Sequence, residues 1–596
     1  MQPTDFTTLS AVRSNLEAHW LPARCEQVYQ RDRFTIFMAL RTIERRGWLA
    51  ISWHPQAARI HIAEAPPKQP DTFTFSQQLK HQLGGLALTQ IRLISPWERT
   101  LDLQFARRPD EPALWHLYVE VMGKYSNVIL TTDRGQIVTA AHQVSEQQSS
   151  VRPIQTGQPY VPPPKIKGPF PQLDEPFESW RDSISLIPGK LKKMMVKAYS
   201  GVSSAVAGQL IETAGLGADS VTTDLDETAW KQLFGCWCDW LTRLEKTAFE
   251  PAFTATGYTV LGIGTKPLKP VANVQVLLDE YYQFQFNREE FRRLHHQISQ
   301  CLKNRLKKLR QKAATFEERL QQSDQSEDFR EKADLLMAHL HEWQPGMKTI
   351  ELIDFETEQP VVLSLNPEKN AVQNAQMLYK QHQKLKRARV AVEPLLAEVS
   401  AEINYLEQVE DSVLQMPTYK QVADLRSLQE VQTELISQNY LKAPVGHPLE
   451  KGAARKGDAQ SGRQGEQMSF RRFQLPQGFE VLVGRNNNQN EQLTFKQATD
   501  YDLWLHAQEI PGSHVLLRLD AGEVPSDEAL QLAADLAAFY SRGRQSDQVP
   551  VVYTEPRHVY KPKGALPGMV IYKKERILWG KPRAAEDLIS DLGGKA

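Results

Sequence analysis

Residues Leu302 to Leu320 read LKNRLKKLRQKAATFEERL. The apolar positions Leu302, Leu306, Leu309, Ala313, Phe316 and Leu320 step by four and three in alternation. That rhythm places all of them on one narrow helical stripe, the seam of a coiled coil. A seam needs a partner helix. A second run offers one: Leu385, Ala388, Val392, Leu395 and Val399, then, after a stutter, Ile403, Leu406, Val409 and Val413. Pro394 lies inside this run and predicts a kink or local break, because proline lacks the N–H and crowds the preceding turn. Between the two runs, at about 343–370, Ile350–Ile353 and Val361–Leu365 read as paired strands. The segment 280–440 is therefore expected to be a long antiparallel coiled-coil arm with a small β tip. At ~1.5 Å per residue, about 40 residues of helix reach on the order of 60 Å.

Working outward, residues 1–160 mix strands and helices. Trp48–Trp53, Ala58–Ile62, Thr100–Phe105 and Tyr118–Val121 alternate as strands, and Phe73–His81 reads as a short helix stopped by Gly84 and Gly85. Pro162, Pro163, Pro164, Pro169, Pro171 and Pro176 mark a semi-rigid linker. The stretch 177–275 is helical. At Gly201 a tight turn joins two short amphipathic helices in the manner of a helix-hairpin-helix, whose backbone N–H groups can face a phosphate; a plain bundle corner is the alternative. Residues 443–468 lack apolar periodicity and are rich in Gly, Gln and charge, as a disordered linker is. From 469 to 583 strands return around one amphipathic helix near Asp527–Tyr540, an α+β domain. The fold class is thus multidomain α+β: a mixed α/β N-terminal domain, a helix-hairpin-helix domain, the arm, and an α+β C-terminal domain.

The 596 residues suggest about four domains. With 41% hydrophobic and 24% charged residues, neither a disordered nor a collagen-like chain is possible. No uncharged apolar run approaches the ~18 residues that span a bilayer. The opening MQPTDFTTLS lacks the basic and apolar regions of a signal peptide, so a cytoplasmic protein with no membrane partner is expected. Four cysteines are scattered, and Cys236 and Cys238 are one residue apart, the wrong spacing for a zinc knuckle. They read as reduced core thiols, with no metal and no cofactor implied.

Charge is more informative. There are 71 Lys+Arg and 71 Asp+Glu, a formal net charge of zero that taken alone argues against a phosphate-rich partner. The distribution overturns that impression. Lys303, Arg305, Lys307, Lys308, Arg310 and Lys312 follow one another without an acid, as do Lys380, Lys384, Lys386, Arg387 and Arg389. Solvated helix faces usually alternate in sign, and a one-sign stripe suits an RNA backbone. Lys190, Lys192, Lys193 and Lys197 precede the helical hairpin. Near the C-terminus Arg557, Lys561, Lys563, Lys573, Lys574 and Arg576 are interleaved with Tyr553, Tyr560 and Tyr572, which either stack on bases or merely fill a sheet. No Gly-rich loop followed by Lys and Ser/Thr signals nucleotide hydrolysis. Asp502, His506 and His514 resemble an acid–base or metal set, but no third clustered ligand or nucleophile completes it, so a structural or RNA-contacting role is expected. Glu98 beside Arg99 can orient the guanidinium towards a phosphate or base.

These residues also carry a resemblance. Asp502-Leu503-Trp504-Leu505-His506 through Pro511-Gly512-Ser513-His514, together with Gly484–Asn490 and Lys561–Gly568, resembles the signature of the NFACT-R domain. Trp97-Glu98-Arg99 and Glu120–Asn127 resemble NFACT-N, and Asn374-Ala375-Gln376 with Lys384-Leu385-Lys386 is similar to the start of the family's second coiled-coil helix. The chain is identified as a member of the NFACT family, the bacterial RqcH and eukaryotic NEMF group also labelled fibronectin-binding protein A-like. The resemblance implies a ribosome quality-control factor. Such a factor binds the large ribosomal subunit obstructed by peptidyl-tRNA and recruits alanyl-tRNA for template-free alanine tailing of the nascent chain. It is a monomer and no enzyme, because the ribosome makes the peptide bond. Ribosomal RNA and the stalk-base protein are its further partners. The implied tRNA contacts fall on Glu98, Arg99, Glu120, Met122 and Lys124. The implied RNA or ribosome contacts fall on Lys303, Arg305, Lys307, Lys308, Lys384, Lys386, Arg387, Asn487, Asp502, Trp504, His506, His514, Lys561 and Lys563. Position 98 departs from the family's Asp: its extra methylene moves the carboxylate by roughly 1.5 Å. The alternatives are a surface fibronectin-binding adhesin, a general RNA- or tRNA-binding protein without tailing, and a nucleic-acid enzyme.

Overall fold

The computed structural model describes residues 1–66, 70–164, 168–262, 268–354, 359–443 and 470–593, with side chains to 589. The linker expected at 443–468 lies, from 444 on, outside the described residues. The chain divides into two compact units, Met1–Phe286 and Asn287–Ala596.

In the first unit, helix α1 (Phe6–Trp20) starts at Asp5, whose carboxylate accepts from the Thr8 N–H at 2.8 Å. There follow strands β1 (Ala23–Asp32), β2 (Thr35–Arg41), β3 (Arg46–Ser52) and β4 (Arg59–Ala63), helix α2 (Thr74–Leu83), and β5 (Ala87–Leu93), β6 (Thr100–Ala106), β7 (Trp115–Glu120), β8 (Asn127–Thr132) and β9 (Ile137–Ala140). All nine strands form one sheet in the order β4-β3-β2-β1-β5-β6-β7-β8-β9, antiparallel at every pairing. Leu9, Val12 and Leu16 of α1 are fully buried in one cluster with Met38, Leu40, Leu49 and Ile51 of the sheet. The mixture of strands and helices expected here is present as two antiparallel meanders, β1–β4 and β5–β9, joined through the β1–β5 pair after a crossover that contains α2.

Helices α3 (Phe177–Ser185), α4 (Leu191–Ala198), α5 (Ser204–Thr213) and α6 (Glu227–Glu245) follow. Their core is aromatic: Trp180, Trp237 and Trp240 are fully buried, and Trp180 packs on Trp230, Phe234 and Trp237. Between α4 and α5, Gly201 takes φ +90°, and a Cβ there would meet the Trp97 ring at 2.7 Å, so only glycine fits. Three short strands, β10 (Ala252–Phe253), β11 (Tyr258–Thr259) and β12 (Lys269–Pro270), precede α7 (Val274–Asp324), within which the boundary between the units falls.

The second unit contains most of α7, then α8 (Ser326–Ala338), the hairpin β13 (Thr349–Ile353) and β14 (Pro360–Ser364), α9 (Ala371–Leu414) and α10 (Val422–Ser437). Leu302, Leu306, Leu309, Ala313 and Phe316 are buried together with Val392, Val399, Leu406, Val409 and Val413, as the seam requires. Three details differ from the sequence reading. Ala388, expected on the seam, is exposed and lies off it. Leu395 is 43% exposed and Leu396 packs instead, because the step from Val392 is four and then three. Helix α9 also continues through Pro394 without interruption.

The C-terminal part builds β15 (Arg471–Gln474), β16 (Glu480–Val483), α11 (Asn487–Gln492), β17 (Leu503–Ala507), β18 (Val515–Leu517), α12 (Asp527–Phe539), β19 (Val549–Thr554), the pair β20 (Val559–Tyr560) and β21 (Ile571–Tyr572), β22 (Arg576–Gly580) and α13 (Pro582–Gly593). Six strands form an antiparallel sheet in the order β15-β16-β18-β17-β19-β22. Alanines 529, 533, 534, 537 and 538 let α12 lie close on it; at Gly580 a Cβ would stand 2.5 Å from the Ala534 carbonyl oxygen.

Candidate nucleic-acid interface

The first cluster lies where β6 begins and β7 ends. Thr100 is paired with Glu120 across that ladder, and the Val121 N–H donates to the Arg99 carbonyl at 2.9 Å. Two segments twenty residues apart in sequence are thereby set side by side. Trp97 anchors the first of them. Its backbone takes φ +63°, and its ring lies 4.6 Å from Phe6 of α1 and 5.6 Å from Trp240 of α6 between centroids. A non-glycine residue in that region is strained, and here the aromatic packing holds it. The second segment turns at Gly123, φ +60°, and the Met122 N–H donates to Ser126 Oγ at 2.8 Å. Asn127 closes the loop: its Nδ2 donates to the His142 carbonyl at 2.7 Å and its Oδ1 accepts from the His142 N–H at 2.9 Å.

The result is a pocket of about 820 Å³ lined by Glu98, Arg99, Met122, Lys124, Tyr125 and Arg152, among others. Lys124 is exposed, with its ammonium 4.8 Å from the Tyr125 ring centroid; Tyr125 is itself 71% exposed. Glu98 is buried and engaged. Four of the five tRNA-contact candidates, Glu98, Arg99, Met122 and Lys124, thus line one pocket.

Glu120 does not line it. Its side chain is fully buried, accepting from both terminal nitrogens of Arg152, one at 3.0 Å, and from the Tyr160 hydroxyl at 2.9 Å. Tyr160 stacks on Tyr118 at 3.9 Å, nearly parallel. A carboxylate so buried, with both oxygens engaged by protein donors, is out of reach of a ligand. Glu120 therefore shapes the pocket through Arg152, which does line it. Arg152 and Tyr160 escaped the sequence reading because they arrive from a loop some thirty to forty residues away, and no spacing signals such a partner.

The second cluster is in the C-terminal domain. Its signature residues are mostly interior. Asp502 is fully buried, accepting from the N–H groups of Thr499 at 2.7 Å and Leu519 at 3.1 Å and facing Arg518 at 3.4 Å. Trp504, also fully buried, donates from Nε1 to Thr494 Oγ1 at 3.0 Å, and the same hydroxyl lies 2.7 Å from His514 Nδ1. Asn487 is buried and donates to Glu434 Oε1 at 3.3 Å. Burial pushes His506 down to about 4 and His514 well below the ordinary imidazole range, so both are neutral at pH 7. The polar atoms of Asn487, Asp502 and Trp504, expected from the sequence to contact RNA, are buried and hydrogen-bonded within the protein, whereas His514, though buried, borders a cavity. His506 and His514 both line that cavity, which has a volume of about 270 Å³. Lys561 pairs with Glu491 at 2.7 Å, and Lys563 is exposed.

The arm bases divide into two sets. Arg305 and Arg310 of α7 pair with Glu402 and Glu407 of α9, at 2.8 and 2.6 Å. Arg389 pairs with Asp324 and Glu393. Lys303, Lys307, Lys308, Lys384, Lys386 and Arg387 are exposed and, among the described residues, make no ion pair. Arg305 is thus committed to holding the arm together rather than left free for a phosphate.

A cluster at the arm tip fell outside the sequence reading. His339, His341 and Glu342 have ligand atoms within 4.8 Å of one another, and His339 Nδ1 lies 2.9 Å from Glu342 Oε1. Among the described residues no helix is long and apolar enough to cross a membrane.

Comparison with known proteins bears directly on both clusters. The model of the NFACT N-terminal and middle domains matches residues 5–451, and that of the NFACT protein RNA binding domain matches 469–574. The chain is 29% identical over 585 residues to Rqc2 homolog RqcH of Bacillus subtilis, covering 94% of this chain and 95% of that protein. It is 28% identical over 581 residues to Rqc2 homolog RqcH of Streptococcus pneumoniae, with 96% of each covered. Among solved structures, the C-terminal part of the fibronectin/fibrinogen-binding protein from Streptococcus suis matches at 29% identity and TM-score 0.36, covering 50% of this chain and 98% of that one. The first cluster lies within the N-terminal match and the second within the RNA-binding match, and the two matches follow one another along nearly the whole length. The chain therefore belongs to the NFACT-domain family of RqcH and NEMF.

Proposed function

We propose that this protein is a cytoplasmic ribosome quality-control factor. It binds the large ribosomal subunit that retains peptidyl-tRNA and recruits alanyl-tRNA for template-free C-terminal alanine tailing. It acts as an adaptor without a cofactor or chemistry of its own, and the ribosome forms the bond. The observation that carries the reading is the pocket gathered by the β6–β7 ladder, in which Arg99 and Lys124 present cations beside the exposed Tyr125 ring. Phosphate and base recognition together need this pairing of cation and aromatic surface. The free lysines of the arm support the same reading, since ribosomal RNA is the polyanion such an adaptor meets. Expected on Arg99→Ala is a loss of tRNA affinity of at least about ten-fold, the size of one charge-assisted hydrogen bond, with folding unchanged. Filter binding of tRNA and co-sedimentation with large subunits measure it. Wild-type tRNA affinity in Arg99→Ala would remove the role given to this pocket, and failure of the wild-type protein to sediment with large subunits would remove the function.

A further inference from the structure

Two signature segments of the C-terminal domain converge on one cavity of about 270 Å³. His506, Glu509, Ile510, Pro511 and His514 supply one wall; Gly568, Met569, Val570 and Tyr572 supply a second; Asn404, Glu407 and Gln408 of α9 close the third. The cavity is small beside the ~300–1,000 Å³ of drug-sized ligand sites, so it suits one ring system rather than a nucleotide. Its shape is fixed. The His506 and His514 rings meet edge to face at 5.4 Å, Trp504 stacks on His506 at 5.8 Å, and Tyr572 lies 5.7 Å from Trp504. At Gly568, φ +78°, a Cβ would stand 3.0 Å from Asn487, so the backbone comes in where a side chain cannot.

The polar inventory narrows the ligand. Both histidines are neutral and held by backbone carbonyls, those of Gly512 and Ala507 around His506 and those of Asn490 and Gly568 around His514. Glu407 is spent on Arg310 and Arg542. Among the described residues Glu509 has no ion-pair partner; it sits at φ +55° at the turn that carries it into the cavity lining. A cavity with no free cation and one free carboxylate repels phosphate and accepts hydrogen-bond donors. The exposed cations Lys573 and Lys574 follow Tyr572 directly and are placed to hold a backbone beside it.

We infer that this cavity receives a single unpaired nucleobase, and guanine in particular, from RNA bound to the C-terminal domain. Guanine alone among the four bases offers two adjacent donors, N1–H and N2–H₂, which match the two oxygens of one carboxylate as other bidentate base contacts do. The base is held flat by the aromatic lining, and the Asn404 and Gln408 amides stand opposite for its remaining edge. The inference rests on the RNA-binding reading above and adds the base it selects.

The test is fluorescence anisotropy of the full-length protein with a labelled short oligouridylate and with the same oligomer carrying one central guanosine, inosine or adenosine. Guanosine is expected to bind about ten-fold tighter than uridine, and inosine, lacking the 2-amino group, in between. Glu509→Gln is expected to abolish the guanosine advantage and leave oligouridylate binding unchanged. Met569→Trp, which fills the cavity from its rim, does the same, so the result does not hang on one variant. Equal affinity of the wild-type protein for guanosine and uridine oligomers overturns the inference while RNA binding stands, as does a guanosine advantage that survives both substitutions. If no oligomer binds and large subunits do not co-sediment, the parent reading has failed and this one falls with it.

Discussion

Arg152 shows how much one residue outside every motif controls. It neutralises Glu120, whose side chain is wholly out of water, and its own side chain is 13% exposed. Removing one partner of such a pair leaves a buried charge without compensation, which costs about 3–5 kcal/mol, whereas an exposed pair is worth about 0–1 kcal/mol. Arg152→Ala is therefore expected to lower the unfolding free energy by about 3–5 kcal/mol, and adding Glu120→Gln to recover part of it. Urea denaturation followed by tryptophan fluorescence reads both. A single-mutant loss under about 1 kcal/mol would show that water reaches Glu120 and that the pair is not structural. The same substitution opens the pocket wall, so tRNA affinity should fall with it even though Arg152 is not required to touch tRNA.

At the scale of elements, the junction of α9, α10 and α11 contains a carboxylate in an unfavourable place. Glu434 Oε1 accepts from Tyr405 Oη at 2.7 Å and from Asn487 Nδ2, while Oε2 is buried without a partner. Burial pushes Glu434 up to about 7, against hydrogen bonds from Tyr405 and Asn487 that favour its charge; nearby Glu491 adds repulsion. For a carboxyl raised in the folded state, the penalty is full above the folded value and vanishes as pH falls below it towards the unfolded value. Glu434→Gln should thus stabilise the protein by about 3 kcal/mol at pH 8.5 and by under about 1 kcal/mol at pH 5. Neutral, half-buried His506 has the opposite sign, since its stability contribution is complete above pH 6.5 and is lost as pH falls towards 4. Comparing variant with wild type at each pH cancels that contribution. Equal gains at both pH values would mean Glu434 is protonated throughout or never. The arm itself was legible in the sequence, because the four–three rhythm from Leu302 to Phe316 states its own geometry. The slip at Leu395 came from extending a rhythm through a stutter, where one residue changes the face. Strands β6 and β7 were also readable from alternation. The first helix, β1, β2 and β5 were not: β2 is buried on both faces along six consecutive residues and carries no period. The site was half legible. Motif residues could be named, but whether each faces a ligand or the interior depends on partners such as Arg152, Tyr160 and Thr494 that only the fold delivers.

For the whole molecule, a net charge of zero conceals a division of labour among the cations. Acids on α9 pair with Arg305 and Arg310 across the two helices of the arm. The lysines between them stay exposed. A cation that neutralises a phosphate releases a counterion, and each such contact adds about 0.7–0.9 to the slope of log K against log salt. A cation already paired within the protein adds little, because its field is compensated. Replacing Lys303, Lys307 and Lys308 together by Gln is therefore expected to reduce the salt slope of large-subunit binding by about two to three. Replacing Arg305 by Gln should leave that slope nearly unchanged and instead loosen the arm, lowering its thermal midpoint slightly. Co-sedimentation with large subunits across a potassium chloride series separates the two. An unchanged slope in the triple variant would mean that the arm lysines face solvent in the complex, and binding would then have to run through the two pockets rather than along the arm.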